Sequence, residues 1–174
     1  MKTSTAIKIL LVDDHAIFRK VTRIALNDFD DIDIVGECSD GCQVCDFLDE
    51  NDVDVILMDI TMKDIDGIQA TQLARQRHPN TKVVAFTSHS GQRFKDAMYV
   101  AGASAYLDKG ASPQTIKETA TAVVNGDNVQ KRDRMLAYIR VHIPFHKYTN
   151  MTIHTDEQLQ AIIDEHSKEM NDNK

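Results

Sequence analysis

The sequence lacks any apolar run approaching the roughly 18 residues of a membrane-spanning helix. Its start, Met1-Lys2-Thr3-Ser4-Thr5, leads into a short strand-like run that ends in acids rather than in a signal-peptide core. A cytoplasmic protein with no membrane partner is therefore expected. Positive charge is also short: 20 Lys and Arg face 27 Asp and Glu, giving a net charge of −7 and a pI near 5.4. That balance argues against coating nucleic acid or acidic membrane by bulk electrostatics. Cysteine is scarce, with three residues, and an odd, closely spaced set excludes a secreted disulfide framework. Internal repeats and low-complexity linkers are absent. What remains is globular in composition, 42% hydrophobic and 27% charged over 174 residues. This is enough for one domain plus an appendage, and such a chain buries roughly 70% of the surface it exposes when unfolded.

Short apolar runs alternate with helical patterns over the first 126 residues, the signature of a parallel sheet covered by helices. Strands are expected at 7–12, 32–37, 53–58, 82–86 and 104–107, and helices at 16–27, 41–50, 68–77, 92–101 and 113–125. Ser112 can cap the last of these helices, Pro113 suits its first position, and Asn125-Gly126 offers a left-handed stop. A domain over 1–128 and an extension over 129–174 follow. Charge divides at the same point, with 13 basic and 20 acidic residues before it and 7 of each after it. Cys38, Cys42 and Cys45 have the C-x3-C-x2-C spacing of radical-enzyme cluster ligands. Cluster ligands come from an open loop, however, and 39–50 reads as a helix, so buried or half-buried thiols are expected.

In an open parallel sheet, ligands bind beyond the carboxyl ends of the strands, where strand order reverses. Asp13 and Asp14 follow the first strand, Asp59 the third, Thr87 and Ser88 the fourth, and Lys109 the fifth. Three carboxylates converging there repel one another unless a cation neutralises them, and hard oxygen ligands select magnesium. Lys109 adds a positive charge and Thr87 a hydroxyl donor, an arrangement that suits a phosphoryl group.

These pieces carry a resemblance. Leu10-Leu11-Val12-Asp13-Asp14-His15, Leu57-Met58-Asp59-Ile60-Thr61-Met62, Asp66-Gly67, Phe86-Thr87-Ser88, the run from Ala101 to Leu107 and Lys109-Gly110 look like the receiver domain of two-component response regulators. The wording at Val35-Gly36-Glu37 and Gly102-Ala103-Ser104 is closest to the branch joined to a LuxR-type helix-turn-helix. The resemblance covers 6–126 and implies a flavodoxin-like, five-stranded doubly wound parallel sheet. It implies that Asp59 is the phosphoacceptor and that Asp14, Asp59 and the backbone carbonyl of Thr61 ligate Mg2+, with Asp13 supporting the ion through water. It further implies that Thr87 and Lys109 contact the phosphoryl oxygens, and that Tyr106 is the switch aromatic, coupled to Thr87. The implied phosphoryl donor is a sensor histidine kinase or a histidine phosphotransfer protein. His15 reads as a helix-start residue rather than a ligand. Lys63 stands where the family usually has proline, which frees a backbone N–H and adds a charge beside the active-site loop.

Two other functions compete. A haloacid dehalogenase-type phosphohydrolase also uses an aspartyl nucleophile with magnesium, but its D-x-D follows the first strand. Asp59-Ile60-Thr61 follows the third and lacks the second carboxylate. A transcription regulator with a truncated or divergent output is the second, yet a LuxR-type module needs about 60 residues and 46 follow the receiver. Helices at 133–141 and 156–170, with an extended stretch at 145–153, form no helix-turn-helix pattern. Pro144 between His142 and His146 argues against a helical zinc pair. The later helix places Leu159, Ile162, Ile163 and Met170 near one face, with Thr155 able to cap it, so it needs an apolar partner. The extension therefore reads as a protein contact, made with its own receiver, a second copy or a downstream target. The basic and aromatic residues between Lys131 and Tyr148 are the one feature favouring nucleic acid. Lys109, at a sheet edge, is expected to be solvated and dispensable for folding.

Overall fold

A computed structural model describes residues 6–127, 129–143 and 154–172. Five strands, β1 (Ile7–Val12), β2 (Ile32–Cys38), β3 (Val55–Met58), β4 (Lys82–Thr87) and β5 (Ala105–Asp108), form one sheet in the order β2-β1-β3-β4-β5. Every neighbouring pair is parallel. The helices between and after them are α1 (Ala16–Asn27), α2 (Cys42–Glu50), α3 (Gly67–Arg77), α4 (Gln92–Ala101) and α5 (Pro113–Val124). This is the doubly wound flavodoxin-like fold.

Central strands in such a sheet are covered on both faces, and so they read as unbroken apolar runs. All four residues of β3 are buried, and alternate side chains of β1, β3 and β4 enter two separate cores. One core includes Val44 of α2, Ala70 of α3 and Met98 of α4, and the other Leu26 of α1 and Ile116 of α5. Because β1 pairs with both β2 and β3, strand order reverses beside it, and a crevice opens at the carboxyl ends of β1 and β3. The ladder outruns the apolar residues: β2, β4 and β5 each continue one residue further than expected, to Cys38, Thr87 and Asp108. β3 begins later than expected, at Val55, since Asp54 takes Lys8 into a local pair, its N–H bonding Lys8 O at 2.9 Å and its carboxylate accepting Lys8 N–H at 2.8 Å.

Cys38 ends β2, and Cys42 and Cys45 lie on α2. Cys38 and Cys45 are buried, and burial pushes the Cys38 thiol up to about 11. Cys42 corrects the expectation of a covered thiol. It opens α2 on the solvent side and is exposed, with its Sγ 2.8 Å from Asp40 Oδ1.

Two further helices follow, α6 (Lys131–His142) and α7 (Asp156–Asp172). Ser112 caps α5 as expected, accepting the Thr115 N–H at 3.1 Å. α7 starts from a reciprocal cap in which Thr155 Oγ1 accepts Gln158 N–H at 3.3 Å and Gln158 Oε1 accepts Thr155 N–H at 2.7 Å. α6 packs on α4, and α7 packs on α6 through Met135, Ile139, Ile143 and Leu159. Thus the apolar partner of α7 is α6. Met170 lies on the same face, seven residues after Ile163, but is 56% exposed near the end of α7, whose 17 residues exceed the 12 of α6. The extended stretch at 145–153 lies outside the described residues, and so does His146. Among the described residues no helix is long and apolar enough to cross a membrane.

Candidate functional site

The hydrogen-bond ladder carries the acidic residues into the crevice. Asp13 N–H bonds Cys38 O at 3.1 Å and Asp59 N–H bonds Val12 O at 2.8 Å, so each Asp continues the pairing of its own strand. Both side chains are buried, and each divides its two oxygens in the same way. Asp13 Oδ1 accepts the His15 N–H at 2.8 Å, and Asp59 Oδ1 accepts the Ile60 N–H at 2.8 Å. The other oxygen of each lies 2.7 Å from the ammonium of Lys109.

Lys109 is not solvated. Its side chain is 14% exposed, and its Nζ lies 4.7 Å from the centre of the Phe18 ring. The correction has a simple cause: Lys109 N–H bonds Thr87 O at 3.0 Å, which continues the β4–β5 pairing and turns the side chain inward across the strand ends. Burial works to lower the ammonium's pKa, but the hydrogen bonds and charges of Asp13 and Asp59 outweigh it and hold it above the ordinary lysine value.

Around this triad lies a cleft of about 280 Å³, lined by Asp14, His15, Asp59, Thr61, Thr87, Ser88, His89 and Lys109. Asp14 is the more open acid, and candidate ligand atoms of Asp13, Asp14 and His15 all lie within 4.8 Å of one another. His15 is the residue preceding α1, and its ring is exposed. The acids outnumber the single lysine, and their hard oxygen donors fit a divalent cation such as magnesium. Thr87 is fully buried, its Oγ1 accepting the His89 N–H at 3.4 Å.

Two residues that sequence reasoning missed complete the surroundings. His89 Nε2 is 2.6 Å from Thr61 Oγ1, and its ring packs on Phe94 at 4.4 Å. Tyr106 is buried and donates its hydroxyl to the His89 carbonyl. Burial, with Asp108 and Asp59 nearby, pushes that hydroxyl up to about 12. Gln130 then covers β5: its Oε1 accepts Tyr106 N–H at 2.9 Å and its Nε2 donates to Tyr106 O at 3.2 Å. The β3–α3 loop closes behind Asp59 through Gly67, whose N–H bonds Ile60 O at 2.8 Å. A Cβ at Gly67 would stand 1.9 Å from the Asp59 carbonyl oxygen, so only glycine allows this approach.

A parallel β2-β1-β3-β4-β5 sheet with an acid–lysine–hydroxyl cluster at its switch point defines a flavodoxin-like receiver protein. The chain belongs to the response regulator receiver domain family, whose profile matches residues 9–121. It is 37% identical to the response regulator UvrY of Escherichia coli (strain K12) over 120 residues, which are 69% of this chain and 55% of UvrY. It is 31% identical to the transcriptional regulatory protein DegU of Brevibacillus brevis over 120 residues, 69% of this chain and 51% of DegU. The chain thus spans about half the length of these curated relatives. A LuxR-family two-component response regulator from Aurantimonas sp. SI85-9A1 superimposes with a TM-score of 0.68 at 27% identity, covering 80% of this chain and 99% of that one. The protein is therefore a receiver of two-component signal transduction, and the phosphohydrolase reading gives way to that family.

Proposed function

We propose that Asp59 accepts a phosphoryl group from the phosphohistidine of a sensor histidine kinase or a histidine phosphotransfer protein, and that the modified protein presents a changed surface to its target. The observation that supports this reading is the buried Asp59 carboxylate, held by Lys109 at 2.7 Å at the switch point of the sheet. A carboxylate oxygen of Asp59 attacks phosphorus, the phosphorus–nitrogen bond breaks, and the electron pair leaves with the donor imidazole. Lys109 is already in contact with the acceptor oxygen and transfers its charge to the new phosphoryl oxygens, while Thr87 supplies a hydroxyl from the end of β4. Mg2+, held by Asp14, Asp59 and the Thr61 backbone carbonyl with Asp13 supporting it through water, would screen the negative charges of donor and acceptor from one another. The domain modifies itself and turns over no metabolite.

The donor approaches along α1. Ile17, Val21 and Ile24 are 77%, 57% and 59% exposed and recur at four- and three-residue intervals, starting two residues beyond His15 at the cleft's rim. Residues 1–128 form the receiver on this reading, and 129–174 form a C-terminal extension to it. Incubation with acetyl phosphate and magnesium should add one phosphoryl mass, and Asp59→Asn should abolish it. Persistence of the added mass in that variant overturns the assignment.

A second reading, regulation of transcription, draws on the names of relatives such as DegU and the fraction of them that this chain spans. Sequence-selective retardation of duplex DNA by the beryllofluoride-treated chain is the result that would support it.

A further inference from the structure

Asp13 engages every one of its polar atoms in holding the turn that follows β1. Its N–H bonds Cys38 O, its Oδ1 accepts the His15 N–H, its Oδ2 meets the Lys109 ammonium, and its carbonyl accepts Nη1 of Arg19 on α1. Asp14 faces the cleft instead, with His15 Nδ1 at 3.7 Å. Arg19 is itself braced from behind. Its Nε donates to Glu37 Oε2 at 3.1 Å, Glu37 Oε1 accepts Arg23 Nε at 2.5 Å, and Arg23 Nη1 donates to Ile34 O at 3.1 Å. A line of bonds thus runs from the outer strand β2, through α1, to the carbonyl between the two acids.

The geometry points to Arg19 as a positioning residue of the metal site: it fixes the peptide that joins Asp13 to Asp14 and so aims the Asp14 carboxylate at the cation. The inference rests on the reading of Asp14, Asp59 and the Thr61 carbonyl as ligands of a divalent ion. The Asp13 carbonyl lies in the planar peptide unit between the two acids, and a plane held at its oxygen does not turn. Turning of that plane is the motion that would swing the Asp14 side chain away from the cleft. A guanidinium suits the task, because its rigid fork reaches a carbonyl and a carboxylate at once. Asp14 is then set in place before the ion arrives, which removes an ordering cost from binding.

Charge alone gives the opposite effect. A guanidinium near an acidic site repels a divalent cation, so its removal would tighten metal binding. Glu37 offsets that repulsion. Burial works to raise its pKa, but hydrogen bonds from Arg23 and Arg19, with the charges of both, outweigh it and hold the carboxyl below its ordinary value, so it is ionised at neutral pH. Arg19 also stands outside the cleft lining and acts on the site through Asp13. Its contribution is therefore direction rather than charge, and the sign of the change on removing it separates the two.

Manganese(II), which takes the same hard oxygen ligands, is the probe, titrated into the full chain and read as loss of the free-ion electron paramagnetic resonance signal. Arg19→Gln should raise the Kd about tenfold or more, the range met when the groups behind a metal ligand are changed. The magnesium concentration for half-maximal acetyl phosphate labelling should rise by the same factor while the plateau stays near wild type, a split that general damage to the fold does not give. Arg19→Lys keeps the charge opposite Glu37 but not the fork, so it should also bind manganese more weakly, and it carries the test if Arg19→Gln does not fold. Unchanged or tighter manganese binding in Arg19→Gln overturns the inference, as does wild-type affinity in Arg19→Lys, and both leave the Asp59 reading standing. A wild-type chain that takes up no manganese defeats the reading of the metal ligands, and this inference with it.

Discussion

Lys109 shows how far a residue's role depends on partners distant in sequence. Its charge, placed directly after β5, was legible from the sequence, as were Asp13, Asp14 and Asp59, because each follows a short apolar run. Its burial was not legible, since that depends on Asp59 fifty positions away and on Asp13 beyond it. His89 and Gln130 escaped for the same reason: their partners Thr61 and Tyr106 lie 28 and 24 residues away, and no local pattern marks them. Removing Lys109 leaves two buried carboxylates facing one another without a cation. Lys109→Ala should therefore lose on the order of 2 kcal/mol in urea unfolding with a chelator present, more than the roughly 0.5 kcal/mol usual for surface changes. Adding magnesium should restore part of the loss, because an ion that binds only the folded acids stabilises them by mass action. A loss below 0.5 kcal/mol in chelator would show that the Lys109 contacts hold nothing together.

At the scale of elements, all five strands and the five helices between and after them were readable, and the errors lie at element ends: β2, β4 and β5 run one residue past the expected stop, while β3 and β5 start late. α6 and α7 were also readable as helices, but the seat of α6 on α4 was not. Met135, Leu136 and Ile139 alternate with Arg132, Arg134 and Arg140, and no single stripe points to a partner. The Arg140–Asp96 pair gives that seat a pH dependence. Burial works to raise the Asp96 pKa, but hydrogen bonds from Arg140 and Gln92 and the charge of Arg140 outweigh it, leaving the carboxyl below its ordinary value. A depressed folded pKa means the contribution is full above the ordinary aspartate value and fades as pH falls through the lowered one. Protection of α6 against hydrogen exchange should therefore hold down to about the ordinary aspartate pKa near 3.9 and weaken only in stronger acid. Arg140→Gln should move the loss upward in pH. The α1 stripe makes a separate prediction: Val21→Asp should slow phosphoryl transfer from a phosphorylated histidine phosphotransfer protein while leaving acetyl phosphate labelling near wild type. Equal losses with both donors would mean that α1 supports the site rather than the donor.

For the whole molecule, the sequence separated an acidic body from a charge-balanced tail, and the fold places the first two turns of that tail's chemistry against the edge of the sheet. β5 is a terminal strand, and an uncovered edge is a template for pairing with other chains. Gln130 answers this by offering its amide where a sixth strand would stand. The order of synthesis makes that cover late. A ribosome releases β1 to β5 and α5 before it releases Gln130 and α6, so each nascent chain passes through an interval with a finished sheet and a bare margin. Crowding of neighbouring nascent chains on one message then favours edge-to-edge pairing during that interval. The cover is thus a device of timing as much as of shape, and damage to Gln130 would lower the yield of soluble chain even where no signal is ever received.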